Sequence, residues 1–362
     1  MLNCSFIFCT ITLKKRLINH NKRNLEKKHM LKKRYLICGA GGFIGGHLAE
    51  NLRDEGHELV CADNKPYEYW FQINDINKNY SLDLKEYESC LKITDGIDYI
   101  YNMACNMGGM GFIENNKAEC MLSVLINTNL LRACLVNKVK KYFFSSSACV
   151  YNATKQKTNF IPGLKEEDAY PAEPEDGYGW EKLFSERMCR HFTEDFGLET
   201  RIARYHNVYG PLGTYDGGRE KAPAALCRKV IEAKLNKKDS IDVWGDGEQT
   251  RSFMFIKDCI TGTKMLFESN EREVLNIGSE EQVSINQMIE IIEEIADYNV
   301  KKNYQLDKPK GVRGRSSNNN LIRKKIGWDV SVTLKQGLKE TYQWIFKQMT
   351  SGSNNNKFSR KY

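Results

Sequence analysis

Proline is scarce, seven residues in 362, while apolar residues make up 41% and charged ones 28%. That balance excludes a collagen-like or disordered chain and fits an ordinary globular protein with a sizeable core. Length alone suggests about two domains. No internal repeat is visible. The apolar run Phe6 to Leu13 falls far short of the roughly 20 residues a membrane span needs, and it precedes the basic residues, the reverse of a signal peptide. The twelve cysteines stand singly, with no CxxC and no zinc spacing, which argues against a metal centre and for a reducing, cytoplasmic setting.

A broad basic surface is lacking too. Ten of the 54 basic residues lie before residue 35, against a single acid there, Glu26, which leaves the rest of the chain at 44 basic to 45 acidic. Residues 1–34 therefore read as a basic, disordered extension on which no chemistry depends. The near-neutral body offers no extended footprint for nucleic acid.

What is present is an alternation of short apolar strands and periodic helices. YLICGAG leads into a helix from Phe43 to Glu55, ELVCADN into one around Leu84 to Leu91, YIYNMAC into one from Met121 to Val136, and KYFFSSSACVY follows. This order predicts a doubly wound parallel α/β sheet with ligands at the carboxyl ends of its strands. Residues 35–205 read as the dinucleotide-binding domain, with later segments crossing back into it. Residues 206–350 read mainly as a smaller substrate-binding lobe, with helices at 223–233, 285–296 and 334–346, a short IDVWGDG strand and a hairpin-like QTRSFMFI. Residues 351–362 read as a flexible tail.

The segment GAGGFIGG places Gly39, Gly41, Gly42, Phe43, Ile44 and Gly45 between the first strand and its helix. Glycines there allow a tight turn and close approach of a pyrophosphate to a helix N-terminus, the signature of a Rossmann-type site. Asp63 ends the next strand, where a carboxylate takes the ribose hydroxyls and repels a 2′-phosphate, favouring NAD over NADP. Asp83 stands where it could either receive the adenine amino group or start a helix. Tyr178 and Lys182 form YxxxK on one helical face, downstream of Ser145, Ser146 and Ser147 at a strand end. A neighbouring ammonium and a cationic cofactor ring would lower the tyrosine's pKa and make it a proton acceptor.

GAGGFIGG, SSSACVY, YGWEK and RYHNVYGP together resemble the extended short-chain dehydrogenase/reductase family, most of whose members act on nucleotide sugars, over residues 35 to about 350. Within it, NMGGMGF, GGREKAPAA, WGDGEQTRSF and GVRGR are similar to the group that inverts two ring carbons of GDP-mannose. The resemblance implies a redox triad of Ser147, Tyr178 and Lys182, and a proton-moving pair of Cys149 and Lys221. A C4 ketone acidifies C3 and C5, so a thiol and an amine, both lowered by the site, would serve opposite ring faces; the expected assignment is Cys149 as base and Lys221 as acid. Gly108, Ser147, Ala148, Cys149, Asn207, Glu220, Lys221, Ala222, Lys229, Gln249, Thr250, Arg251 and Arg315 match positions that hold the GDP-hexose, with Arg251 and Arg315 suited to the diphosphate. The same resemblance implies a homodimer packed through long helices, and product GDP-L-galactose accompanied by GDP-L-gulose. Two residues depart from the group's pattern: Asn106 in place of Asp, and Trp180 in place of a smaller aliphatic residue. A 4-epimerase would leave Cys149 and Lys221 idle, and a 4,6-dehydratase would need an acidic pair where Ala148 and Cys149 stand.

Overall fold

The computed structural model describes residues 33–71, 78–308 and 311–351. The basic extension up to residue 32 and the tail from residue 352 lie outside the described residues. The chain runs β1 (Arg34–Cys38), α1 (Phe43–Asp54), β2 (Glu58–Asp63), β3 (Lys78–Ser81), α2 (Tyr87–Thr94), β4 (Tyr99–Asn102), α3 (Ser123–Val136), β5 (Lys141–Ser147), α4 (Tyr178–Phe196) and β6 (Glu199–Tyr205). After a long excursion, β7 (Leu275–Ile277) returns to complete the sheet. Its seven strands are ordered β7-β6-β5-β4-β1-β2-β3, every neighbouring pair parallel.

Strand periodicity explains why both faces are covered. In β1, Tyr35 and Ile37 join one core while Leu36 and Cys38 join another; in β2, Leu59 and Cys61 separate from Val60 and Ala62 in the same way. Successive side chains point to opposite faces, so a strand buried on both sides must be apolar throughout. The first core continues without a break into the second lobe, as far as Leu338 and Ile345.

The second lobe is made of small sheets. Thr250–Ser252 pairs antiparallel with Gln282–Ser284 and parallel with Gly314–Arg315, Met254–Phe255 pairs parallel with Val208–Tyr209, and Ser240–Trp244 pairs with Lys301–Gln305. The hairpin expected at QTRSFMFI is therefore absent: its two halves are separate strands with different partners. Helices Ile285–Ala296 and Leu334–Thr350 begin with capping boxes, Ser284 with Gln287 and Thr333 with Gln336.

Two elements differ from the sequence expectation near the first domain. Strand β3 is polar and at the sheet edge, so it carries no apolar signal. The helix expected around Leu84 starts at Tyr87, because the Asp83 carboxylate accepts from the Lys85 amide at 2.9 Å and holds the chain in a turn first. Among the described residues one helical stretch, Lys117–Val136, is long and apolar enough to cross a membrane. It packs instead against α2 and α4, with Leu130, Leu131, Ala133 and Cys134 in the core under the sheet.

Candidate active site

The carboxyl ends of the central strands open on a cavity of about 550 Å3, lined among others by Gly39, Gly42 to Gly45, Asp63, Asp83, Cys105 to Gly108, Ser145 to Ser147, Tyr178 and Lys221. Gly39 has φ +80°, and a Cβ on it would stand 2.8 Å from the Met103 carbonyl carbon. A Cβ on Gly45 would stand 2.2 Å from the Gly39 carbonyl oxygen, so glycine here lets α1 close onto the turn. Gly42 is the N-cap of α1 and supplies no side chain to the first-turn amides, the arrangement a phosphate takes up. At Gly41 the space a Cβ would need is occupied by the Trp70 indole, with Nε1 at 2.7 Å. Asp63 ends β2 almost fully buried; its carboxylate accepts from the Lys65 amide at 3.0 Å, and burial raises its pKa against the pull of Lys65 and nearby amides. Asp83 lines the same cavity, tied to the Lys85 amide and, at 3.5 Å, to its ammonium. The glycine cradle, the uncapped helix and the buried carboxylate fit a dinucleotide such as NAD.

The chemical groups converge at the end of β5. Ser147 caps a short 3-10 turn, Ala148–Val150, its Oγ accepting from the Cys149 amide at 3.2 Å. The turn is clamped from outside by the start of α4: the Glu175 amide donates to the Cys149 carbonyl at 2.9 Å, and a Cβ on Gly179 would stand 2.3 Å from that oxygen. Beneath it, Glu186 of α4 accepts from Ser146 Oγ at 2.5 Å and from two nitrogens of Arg204 at 2.9 and 2.7 Å, so one buried ion pair ties α4, β5 and β6 together. Tyr178 and Lys182 are both buried in α4.

The expectation for the Cys149 thiol is corrected, and the protein's own groups do not by themselves lower Tyr178. The Tyr178 phenol is driven well above its ordinary value, by burial first and then by Cys105, Cys149 and Glu181, with a hydrogen bond from Ser147 opposing. Lys182 does not offset this: its Nζ lies 3.4 Å from Glu181 Oε2 and over the Phe144 and Tyr178 rings, 4.8 and 5.5 Å from their centroids, so much of its charge is already engaged. Burial works to lower the lysine's own pKa, but Cys105 and Glu181 outweigh it. The Cys149 thiol is not lowered but pushed up to about 12, by burial and by the nearby Glu175, against the pull of Arg315. Lys221 follows expectation: burial lowers its amine, while the fields of Cys149 and Cys105 work the other way.

The Arg315 guanidinium, which the resemblance suits to a diphosphate, is bonded at the thiol. Nε donates to Gln156 Oε1 at 2.6 Å, Nη2 to Glu175 Oε1 at 2.5 Å, and Nη1 to Cys149 Sγ at 3.5 Å. Arg251 is its register partner on the neighbouring strand, and burial lowers Arg251 to about 10. Both arginines thus stand at the thiol end of the site. Cys149 itself does not line the cavity; it packs with Tyr178, Ile113 and Cys120 in one apolar cluster.

Lys221 is held by a clasp between two glycine-rich segments. Arg219 Nη1 donates to Asn106 Oδ1 at 3.0 Å and to the Met107 carbonyl at 3.2 Å, with its guanidinium 3.9 Å from the Phe112 ring centroid. The Gly109 amide donates to the Arg219 carbonyl, and a Cβ on Gly109 would stand 2.5 Å from the Glu220 carbonyl oxygen. Lys221 then caps the helix Ala222–Leu235, and Gly108 lines the cavity beside it. Asn106, one of the two departures, is therefore a fixed part of this clasp. Trp180, the other, lies 44% exposed on α4, away from the cavity lining.

The remaining positions are more dispersed. Glu220 accepts from the Gly218 amide and lies 3.7 Å from Arg228, Lys229 Nζ donates to the Asp242 carbonyl at 2.7 Å, and Asn207 Nδ2 donates to the Ser252 carbonyl at 3.0 Å. Thr250 Oγ1 accepts from the Phe160 amide at 3.0 Å, and Gln249 Nε2 donates to the Trp244 carbonyl at 3.1 Å while its Oε1 is buried without a hydrogen-bond partner. Sequence reading missed Glu175, Gln156, Cys105 and the Arg204–Glu186 pair. Glu175 lies in the acidic run EPED, which looks like a solvated loop, and only the fold turns it inward.

With a dinucleotide cradle, a Ser-Tyr-Lys set and a second thiol–amine pair on one parallel sheet, the chain defines a nucleotide-sugar-modifying Rossmann enzyme. It belongs to the NAD dependent epimerase/dehydratase family, whose model matches residues 35–278. It is 48% identical over 319 residues to GDP-mannose 3,5-epimerase 1 of Oryza sativa subsp. japonica, covering 88% of this chain and 83% of that protein. It is 46% identical over 314 residues to GDP-mannose 3,5-epimerase of Arabidopsis thaliana, covering 86% and 82%. Among solved structures, UDP-glucuronic acid 4-epimerase from Bacillus cereus, in complex with UDP-glucuronic acid and NAD, is similar at 26% identity and a TM-score of 0.74, over 87% of this chain and 99% of that one.

Proposed function

We propose that the protein is a GDP-mannose 3,5-epimerase that converts GDP-mannose to GDP-L-galactose, with GDP-L-gulose as a side product of inversion at C5 alone. The observation that carries this reading is that Lys221 lines the cavity within the electrostatic reach of Cys149, beside Ser147, Tyr178 and Lys182. A 4-epimerase has no use for such a pair. The likeness to the rice and Arabidopsis enzymes supports the same substrate.

The Gly39 to Gly45 turn and Asp63 would hold NAD, which would supply the reversible two-electron oxidation of the C4 alcohol. Burial holds the Tyr178 phenol above its ordinary value, and the positive nicotinamide ring would bring it down to receive the hydroxyl proton, with Ser147 and Lys182 orienting it. A ketone at C4 acidifies the hydrogens on C3 and C5, and Cys149 and Lys221 exchange those protons on opposite faces of the ring. Gly108, Ala148, Asn207, Glu220, Ala222, Lys229, Gln249, Thr250 and Arg251 supply the surrounding contacts to the GDP-hexose, and Arg315 works at the sugar end.

Exposed Met121, Leu122, Leu125, Trp180 and Phe184 on the adjoining helices Lys117–Met121, α3 and α4 support a homodimer through this face. Leu125→Lys should then halve the mass measured by light scattering, and an unchanged monomeric wild type would remove the dimer. The ten described cysteines, all free, support a reducing, cytoplasmic setting.

The decisive experiment incubates purified protein with GDP-mannose in D2O, without added NAD, and analyses the recovered sugar nucleotide by NMR and mass spectrometry. Deuterium at C3 and C5 with galacto-configured product is expected. No incorporation, even with NAD supplied, would move the assignment to a 4-epimerase or another nucleotide sugar.

A further inference from the structure

Among the described residues Glu175 is the one acid held directly at the active-site thiol, and nothing in the redox or proton-transfer chemistry above uses it. It reaches that position by two independent routes: its amide is bonded to the Cys149 carbonyl, and its carboxylate is bonded to Arg315, which also touches Cys149 Sγ. Gln156 fixes the third nitrogen of the same guanidinium, so Arg315 cannot swing away without breaking two short bonds. The Glu175 carboxylate also faces the Cys149 thiol within hydrogen-bonding reach, and its second oxygen, Oε2, is buried without any other partner. An ionised carboxylate so placed spreads negative charge over the thiol and cancels most of the arginine's help.

We propose that Glu175 is a positioning residue that holds Arg315 against Cys149 and keeps the thiol protonated in the ligand-free protein. This deepens the function proposed above by adding a guard on its proton-moving cysteine: an uncharged thiol resists alkylation and oxidation between turnovers. The charged and titratable groups facing Cys149 are Glu175 before α4, Tyr178 in α4, the thiols of Cys120 and Cys105 packed in the same cluster, Arg315 and Arg251 on paired strands, and Lys221 at its helix cap. Of these Glu175 is the carboxylate, so its removal leaves the pull of Arg315 on the thiol unopposed by a fixed negative charge.

The test is the pH dependence of iodoacetamide labelling at Cys149, read by peptide mass spectrometry in wild type, Glu175→Gln and Glu175→Asp, with retained NAD and circular dichroism as checks of folding. In Glu175→Gln the half-rate pH should fall by about one unit or more, a roughly tenfold gain in thiolate at a fixed lower pH, while Glu175→Asp stays near wild type. A purely structural loosening would speed labelling at every pH without moving the midpoint, and that result overturns the proposal, as does an unchanged profile. Should Glu175→Gln not fold, wild type alone decides: a Cys149 midpoint at or below the ordinary thiol value of about 8.5 refutes it. Because labelling needs no sugar nucleotide, it is read separately from the epimerase assignment.

Discussion

Arg315 and Cys149, 166 residues apart in the chain, meet with Nη1 3.5 Å from Sγ. The contact joins a two-residue strand of the small lobe to the turn that ends β5. From this arrangement follow expectations for the thiol, the cofactor turn and the scaffold beneath them.

Cys149→Ala removes one of the two groups proposed to move carbon-bound protons and leaves the Ser147–Tyr178–Lys182 set in place. Deuterium incorporation at C3 and C5 should fall by about 10² to 10⁴-fold, the usual worth of a general acid–base group. Circular dichroism and bound NAD should be unchanged; wild-type exchange in this variant would remove Cys149 from the chemistry.

Gly45→Ala forces a methyl to within 2.2 Å of the Gly39 carbonyl oxygen, a contact between backbone elements that no side-chain motion relieves. The turn must open, and NAD carried through purification, measured by absorbance after acid release, should be lost. Full NAD occupancy would mean that α1 tolerates displacement.

Arg204→Met leaves Glu186 buried without its ion-pair partner and keeps only the Ser146 hydroxyl on it. Breaking one side of such a pair costs about 3–5 kcal/mol. Denaturant unfolding should show that loss, and a change below about 1 kcal/mol would show that the pair contributes little to holding α4 on the sheet.

His206 is fully buried beside Asn276, with Nε2 and Oδ1 3.0 Å apart, and burial lowers its pKa to about 3. The unfolded chain, near 6.5, binds a proton over the window from about 6.5 to 3 in which the native protein does not. Its contribution to stability is therefore complete above pH 6.5 and drains away as pH falls toward 3, by an amount on the order of 5 kcal/mol. His206→Gln should flatten the acid side of the stability curve; an equally steep curve would place the acid sensitivity elsewhere.

Much of the fold was legible because strands buried on both faces must be apolar, as Leu36 with Ile37 and Val60 with Cys61 are. The dinucleotide turn was legible because its glycines answer local demands, at Gly39 a positive φ and at Gly45 the closeness of a helix. What escaped was non-local. Nothing near QTRSFMFI reveals that its halves pair with strands more than thirty residues away. The environment of Cys149 depends on Glu175 and Arg315, and a charge in a polar loop carries no sign of whether the loop turns inward. The expected lowering of the thiol failed for that reason: the arginine that would favour a thiolate arrives already paired.

The clasp at Gly109 sets a gauge. Lys221 belongs to a loop that has no room even for a methyl group against the 106–112 segment, whereas Cys149 is mounted on the central sheet. The seating of the Lys221 loop is thus set by backbone touching backbone at Gly109 as well as by the Arg219 side chain. A wall that cannot yield by the width of a methyl makes fit on that side of the cleft a matter of caliper as well as of charge.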